Sequence, residues 1–181
     1  MRSLGPILLV GCAPDLSKQL DDGDDPGPVH DGPGVLIDAT DEEIAVHWDI
    51  DAGELVDASD PAWDLSFRRY EIRVNGGVSG DGTVEGVVLD GVAYDELVDV
   101  PADGWITDAP DGDGDQLDDL VFFTWYDYDY ETHTLSPADR VYALRSGEAL
   151  VYRIGFLGYY DDAGTPAMIT FEYDGLPVEA E

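Results

Sequence analysis

Cys12 is the only cysteine among 181 residues, so no intramolecular disulfide can form and no Cys/His zinc spacing exists. Lysine is just as scarce, occurring once at Lys18. Lys plus Arg number 8 against 41 Asp plus Glu, a formal net charge of -33. Such a surface repels nucleic acid and anionic membranes and argues against either as a partner. No apolar run approaches the roughly 18 residues that cross a bilayer as a helix. No segment combines helical period with proper caps, and no fixed-period repeat is present. A nucleophile elbow is missing too, since Gly77-Val78-Ser79-Gly80-Asp81 fails at its last position. Carboxylates are so abundant that no pair stands out as general acid and base. No enzyme is expected.

What is present begins at the N-terminus. Arg2 precedes the apolar stretch Leu4-Gly5-Pro6-Ile7-Leu8-Leu9-Val10, and Gly11-Cys12 follows. A basic start, an apolar run and small residues before a cut are the parts of an export signal. With cysteine after the cut, the segment resembles a bacterial lipobox. Residues 1–11 are then a lipoprotein signal peptide and Cys12 is the lipidated first residue of the mature chain. The plain alternative is an apolar N-terminus with an incidental cysteine. Residues 12–34 are rich in Asp, Gly and Pro and hold little that could offset the cost of ordering the chain, so they read as a flexible acidic tether. His30 lies in it and is expected to be inert. The lipid would be the only membrane anchor. The acidic, lysine-poor surface fits a salty habitat where screening removes self-repulsion, and it could also attract divalent cations.

From Val35 to residue 181 short apolar runs alternate with Gly, Asp and Pro, the pattern of a single all-β domain. Strands are predicted at 44–48, from 53, over 63–74, and at 83–89, 120–126, 140–145, 149–157 and 167–173. Within 63–74 the apolar phase slips by one, which a bulge near Arg68-Arg69 would produce. Turns are expected at Asn75-Gly76-Gly77 and at Asp161-Asp162-Ala163-Gly164, and a hairpin around Ser146-Gly147.

Trp63-Asp64, Arg69-Tyr70, Arg73, Asn75, Gly77 and Ser79-Gly80 resemble the core signature of the HmuY family of bacterial surface lipoproteins. The resemblance runs on through Gly82, Gly86 and Val87 to Val100-Pro101-Ala102-Asp103-Gly104. It returns at Leu135-Ser136, Arg140-Val141-Tyr142, Arg145, Phe156, Tyr159 and Ile169-Thr170-Phe171-Glu172-Tyr173. It implies an antiparallel, β-sandwich-like HmuY fold and a protein that captures haem or a related porphyrin for a membrane transporter. It also implies export and lipid anchoring on the cell envelope, at the outer membrane. Members of the family hold iron between two axial side chains on adjacent loops, often histidines. Here the chain passes quickly from Asp115-Gln116-Leu117 to Phe122-Phe123, so the segment carrying the first histidine is missing. The second position falls close to Tyr126. Neither histidine carries over.

Other residues could still take the role. In a strand, Phe122, Thr124, Tyr126, Tyr128 and Tyr130 would share one face. Apolar walls with a phenol suit a flat macrocycle, and tyrosine can ligate haem iron. Tyr126 and His133 are the candidate haem ligands, with Met168 third. The bland alternatives are an aromatic strand packing the core, a solvated His133, and Met168 as packing. His47 reads as a half-buried structural histidine. Asp111-x-Asp113-x-Asp115, with Asp118 or Asp119, has the spacing to surround one calcium ion. Gln116 stands where an EF-hand needs glycine and Phe122 where it needs glutamate, so a solvated Asp/Gly turn is the competing reading. Arg68, Arg69, Arg73, Arg140, Arg145 and Arg153 all fall in predicted strands, which favours cross-strand ion pairs over a grip on haem propionates. The rival to haem capture is a surface interaction or structural lipoprotein stabilised by calcium.

Overall fold

A computed structural model describes residues 34–177. The signal peptide, Cys12 and the tether up to residue 33 lie outside the described residues. Eleven strands form in order: β1 Val35–Asp38, β2 Val46–Asp49, β3 Glu54–Val56, β4 Leu65–Arg68, β5 Glu71–Val74, β6 Glu85–Asp90, β7 Tyr126–Asp129, β8 Thr134–Pro137, β9 Arg140–Arg145, β10 Val151–Tyr160 and β11 Pro166–Leu176. Among the described residues the only helical piece is a 3-10 turn, Tyr94–Glu96. All strand pairs are antiparallel. One sheet has the order β1-β11-β10-β9-β6, a second β3-β2-β4-β5, and β7-β8 form a separate hairpin.

The two larger sheets face each other. Trp48, Leu65, Phe67 and Ile72 from the four-stranded sheet share one buried core with Ile154, Phe156, Ile169 and Phe171 from the other. Phe67 stacks on Phe171 at 5.7 Å between ring centroids, a contact worth about 0.5–1.5 kcal/mol beyond its burial. The five-stranded sheet is covered on its second face as well. Val87, Val141, Ala143 and Val151 pack there beneath Leu97, Val100 and Trp105. Burial on both faces explains why β9 reads as a continuous apolar run instead of an alternation.

Two local expectations are corrected. Residues 63–74 are not one bulged strand. β4 and β5 form a hairpin in the register Arg68↔Glu71 to Leu65↔Val74, turning at Arg69-Tyr70. The apolar phase slips there because the chain reverses. Arg69 takes φ 56, uncommon for a residue with a Cβ. Its N–H donates to the Ala39 carbonyl and its guanidinium to the Thr40 carbonyl, which hold it in place. Arg69 therefore lies in a turn, outside any strand.

Residues 120–126 are not a strand either. The Phe123 N–H donates to Leu120 and the Trp125 N–H to Phe122, and the resulting turns send Val121, Phe122 and Trp125 into the core together. The shared face expected for residues 122–130 therefore does not form, and only Tyr126–Asp129 is extended. Strands β1 and β8 were not anticipated, while the 146–147 hairpin and the 161–164 turn stand where expected.

Four of the six arginines pair across strands. Arg140–Asp90, Arg145–Glu85 and Arg153–Asp174 are ion pairs between residues directly opposite in register, as is Arg68–Glu71 across the hairpin. Each such pair contributes a few tenths to about 1 kcal/mol.

Candidate functional site: an aromatic cleft beside β5

A cleft of about 260 Å³ opens between β5 and residues 116–126. Its apolar lining comes from Ile72 on β5, from Leu117, Phe122 and Phe123, and from the rings of Tyr70 and Tyr126. Tyr70, Leu117 and Phe123 are each about half exposed (49–53%), an unusual concentration of solvent-facing apolar surface on so acidic a chain. Tyr70 and Tyr126 meet edge to face at 5.8 Å. Arg73 crosses the polar side, ion-paired to Glu71 at 2.8 Å and to Asp118 at 3.2 Å.

The cleft is held open by two tertiary clamps. Asp108 is buried, and its carboxylate accepts the N–H groups of Val74 at 3.0 Å and Val121 at 2.9 Å, tying β5 to the opposite wall. At the other end the Trp125 indole N–H donates to the Tyr70 carbonyl at 2.8 Å. Burial pushes the Asp108 carboxyl above its usual value, against the lowering effect of its hydrogen bonds. Gly77 matters here because it takes φ 62 and passes so close that a Cβ would overlap the Asp108 carbonyl. Nothing local in the sequence distinguishes Asp108 from the acids of the 111–119 segment that follows it.

The three candidate haem ligands are not brought together. Tyr126 lines the cleft, and its phenol is held protonated by burial and by the neighbouring Tyr70 and Tyr130. His133 is exposed at the β7-β8 turn with φ 56, and its Nδ1 shares a 2.8 Å hydrogen bond with the Tyr128 hydroxyl. Met168 is half buried in β11 opposite Asp38 of β1. Neither belongs to the cleft. What the cleft offers a macrocycle is apolar walls and the phenols of Tyr70 and Tyr126, with no histidine or methionine in its lining. His47 is half buried in β2 against Trp63, its ring lowered in pKa chiefly by burial.

The acidic loop splits. Carboxylate oxygens of Asp111, Asp113 and Asp115 lie within 4.8 Å of one another. Gln116 adopts φ 75, the conformation that glycine supplies in an EF-hand. Asp118 instead turns to Arg73, and Asp119 accepts the Gly112 N–H. A second acidic group, Asp49, Asp51 and Asp64, was not singled out from the sequence. Asp64 is 1% exposed and accepts the N–H groups of Ile50 and Gly147. Burial raises its pKa to about 7, helped by Asp51 and Asp49.

Among the described residues no helix is long and apolar enough to cross a membrane. A search of functionally curated proteins finds no match. Solved structures share the fold at low identity. An apo HmuY analog from Tannerella forsythia superposes with TM-score 0.62 at 14% identity, over 80% of this chain and 95% of that one. A Bacteroides fragilis protein provisionally described as a lipoprotein gives 0.60 at 20%, over 81% and 89%. One from Bacteroides vulgatus, provisionally described as HmuY-like and heme-binding, gives 0.58 at 17%, over 81% and 92%. The HmuY protein family model matches residues 40–173, so the chain belongs to the HmuY family.

Proposed function

We propose that this chain is an exported envelope protein, lipidated at Cys12, that captures haem or a related porphyrin in the aromatic cleft and passes it to a membrane transporter. The observation that carries this reading is the cleft itself. It presents half-exposed Tyr70 and Phe123 beside the Tyr126 phenol on one continuous apolar lining. The heme-binding description of one structural relative points the same way. The cleft is small beside the roughly 300–1,000 Å³ of enclosing ligand pockets, so the macrocycle enters by one edge and stays partly exposed. Its propionates meet a protein of net charge -33, and added salt should therefore tighten binding.

The test is a hemin titration of the full chain followed by its Soret band. The expected result is saturable binding that strengthens with ionic strength and weakens at least about tenfold in Tyr126→Phe, the order expected for losing a single good ligand contact. His133→Ala and Met168→Ala should leave it unchanged, because both side chains lie outside the cleft. A spectrum that never saturates would reject haem capture.

Calcium has a narrower case in the 111–116 loop, where three carboxylates converge and Gln116 keeps the required turn. Calcium in the millimolar range typical of extracellular modules should raise the melting temperature, and Asp113→Asn should abolish the rise. An equal response to magnesium, or none, would leave the loop as a solvated turn.

A further inference from the structure

The aromatic cleft is furnished for a ring more than for a metal. Its lining holds no histidine, methionine or cysteine, and its two carboxylates, Glu71 and Asp118, are both ion-paired to Arg73. Among the described residues, the acidic groups close enough to share an ion are Asp49-Asp51-Asp64 and Asp111-Asp113-Asp115. Neither group lines the cleft. What remains is phenol chemistry. Iron takes tyrosine as the phenolate, yet burial, then the neighbouring Tyr70 and Tyr130, favour the protonated form of Tyr126. A protonated phenol is a hydrogen-bond donor. Tyr94 and Tyr152 use theirs inside the fold, on Asp174 and Asp51. Tyr126 meets Tyr70 and Trp125 ring to ring, and among the described residues neither the Tyr126 nor the Tyr70 hydroxyl is hydrogen-bonded. Two uncommitted donors therefore stand on one apolar lining.

A porphyrin has few places to receive such a bond. Its inner nitrogens carry iron in haem and hydrogens in the metal-free ring. The propionate carboxylates are the strong acceptors that both forms share, and an ionised acceptor strengthens the bond. We propose, resting on the porphyrin reading of this cleft, that it recognises the macrocycle by its apolar face and propionate edge, whatever occupies the centre of the ring. The half-buried Tyr126 hydroxyl donates to a propionate. The apolar contacts offered by Ile72, Leu117, Phe122 and Phe123 are the same for either form. The substrate class is therefore carboxylate-bearing porphyrins, metal-free as well as iron-loaded. A site that gripped iron would instead discriminate strongly between the two, because the metal-free ring forfeits the metal bond.

The probes are hemin and metal-free protoporphyrin, titrated in parallel into the full chain at high salt. Quenching of tryptophan fluorescence is the common readout, since Trp125 packs on Tyr126 at 5.4 Å between ring centroids. Both should saturate, with dissociation constants within about fivefold of each other. Tyr126→Phe should weaken both by at least about tenfold, the order of one hydrogen bond to a charged group, and leave their ratio unchanged. The Soret band of saturating hemin should keep its position in that variant, because the iron loses no ligand. A preference for hemin greater than about fivefold would overturn the proposal and leave capture of iron-loaded porphyrin standing. A Soret shift in Tyr126→Phe would overturn it too, since Tyr126 would then be an iron ligand. Failure of both probes to saturate would reject the porphyrin reading itself.

Discussion

Asp108→Ala should destabilise the domain by about 4 kcal/mol, read as a lowered midpoint in guanidinium denaturation. The carboxylate satisfies two buried backbone donors, from Val74 and Val121. Each N–H left without a partner costs about 1–3 kcal/mol, and the alanine supplies no acceptor. Relief from burying a carboxylate offsets part of this, since Asp108 is held above its usual pKa by burial. Asp108→Asn keeps one acceptor oxygen and sets an amide donor against the second N–H, so about half the loss is expected. Because the clamp joins β5 to the opposite wall, hemin binding should fall before unfolding begins. A loss below about 1 kcal/mol in the alanine variant would mean that water replaces the carboxylate, and the clamp would not organise the cleft.

How much of this could be read in the chain depended on whether the cause was local. Strand β9 matches its expected bounds, 140–145, because charged ends and flanking turn residues delimit a β-rich run. The β4-β5 hairpin was hidden because its turn uses Arg69-Tyr70 in place of Asn-Gly. The positive φ of Arg69 is held by bonds to Ala39 and Thr40, about thirty residues away. The aromatic run at 120–126 looked extended because aromatics favour strands. Its course is set instead by Asp108 on Val121 and by Tyr70 on Trp125. Tyr126 could be nominated because phenol chemistry is visible in one letter, and it does line the cleft. The clustering of Tyr126 with Tyr70 was not, since it needs the hairpin. His133 and Met168 were chosen for their ligand chemistry, and the fold places them elsewhere. Asp64 stood out only as part of the Trp63-Asp64 signature, and neither its burial nor that of Asp108 was legible, because burial is not a property of the residue.

Stability should fall as pH rises from about 4 to 7, and Asp64→Asn should remove much of that fall. In the folded chain burial, then Asp51 and Asp49, raises the Asp64 carboxyl from 3.8 to about 7. Unfolding returns it to the ordinary value, so the unfolded state releases a proton throughout that interval. Its contribution is fully present below the unfolded value and is lost as pH climbs through the folded one. A gap of this size corresponds to about 4 kcal/mol. Asp108, also raised by burial, adds in the same direction. Half-buried His47, its pKa lowered chiefly by burial, opposes it below its usual 6.5. The carboxylates held low act elsewhere. Asp38 and Asp57, held first by the Thr40 and Ser59 hydroxyls, and Asp41, Asp111, Asp129 and Asp161, held by backbone N–H groups, lose their contribution only as pH falls below about 4. Asparagine stays neutral at every pH, but its amide nitrogen faces one of the two donors from Ile50 and Gly147, at a cost of about 1–3 kcal/mol. The variant should therefore be less stable than the parent at pH 5 and equal or more stable at pH 8. Denaturation midpoints measured across that range should cross. Parallel curves would mean that Asp64 is ionised in the folded chain, with its charge balanced by something other than the proton.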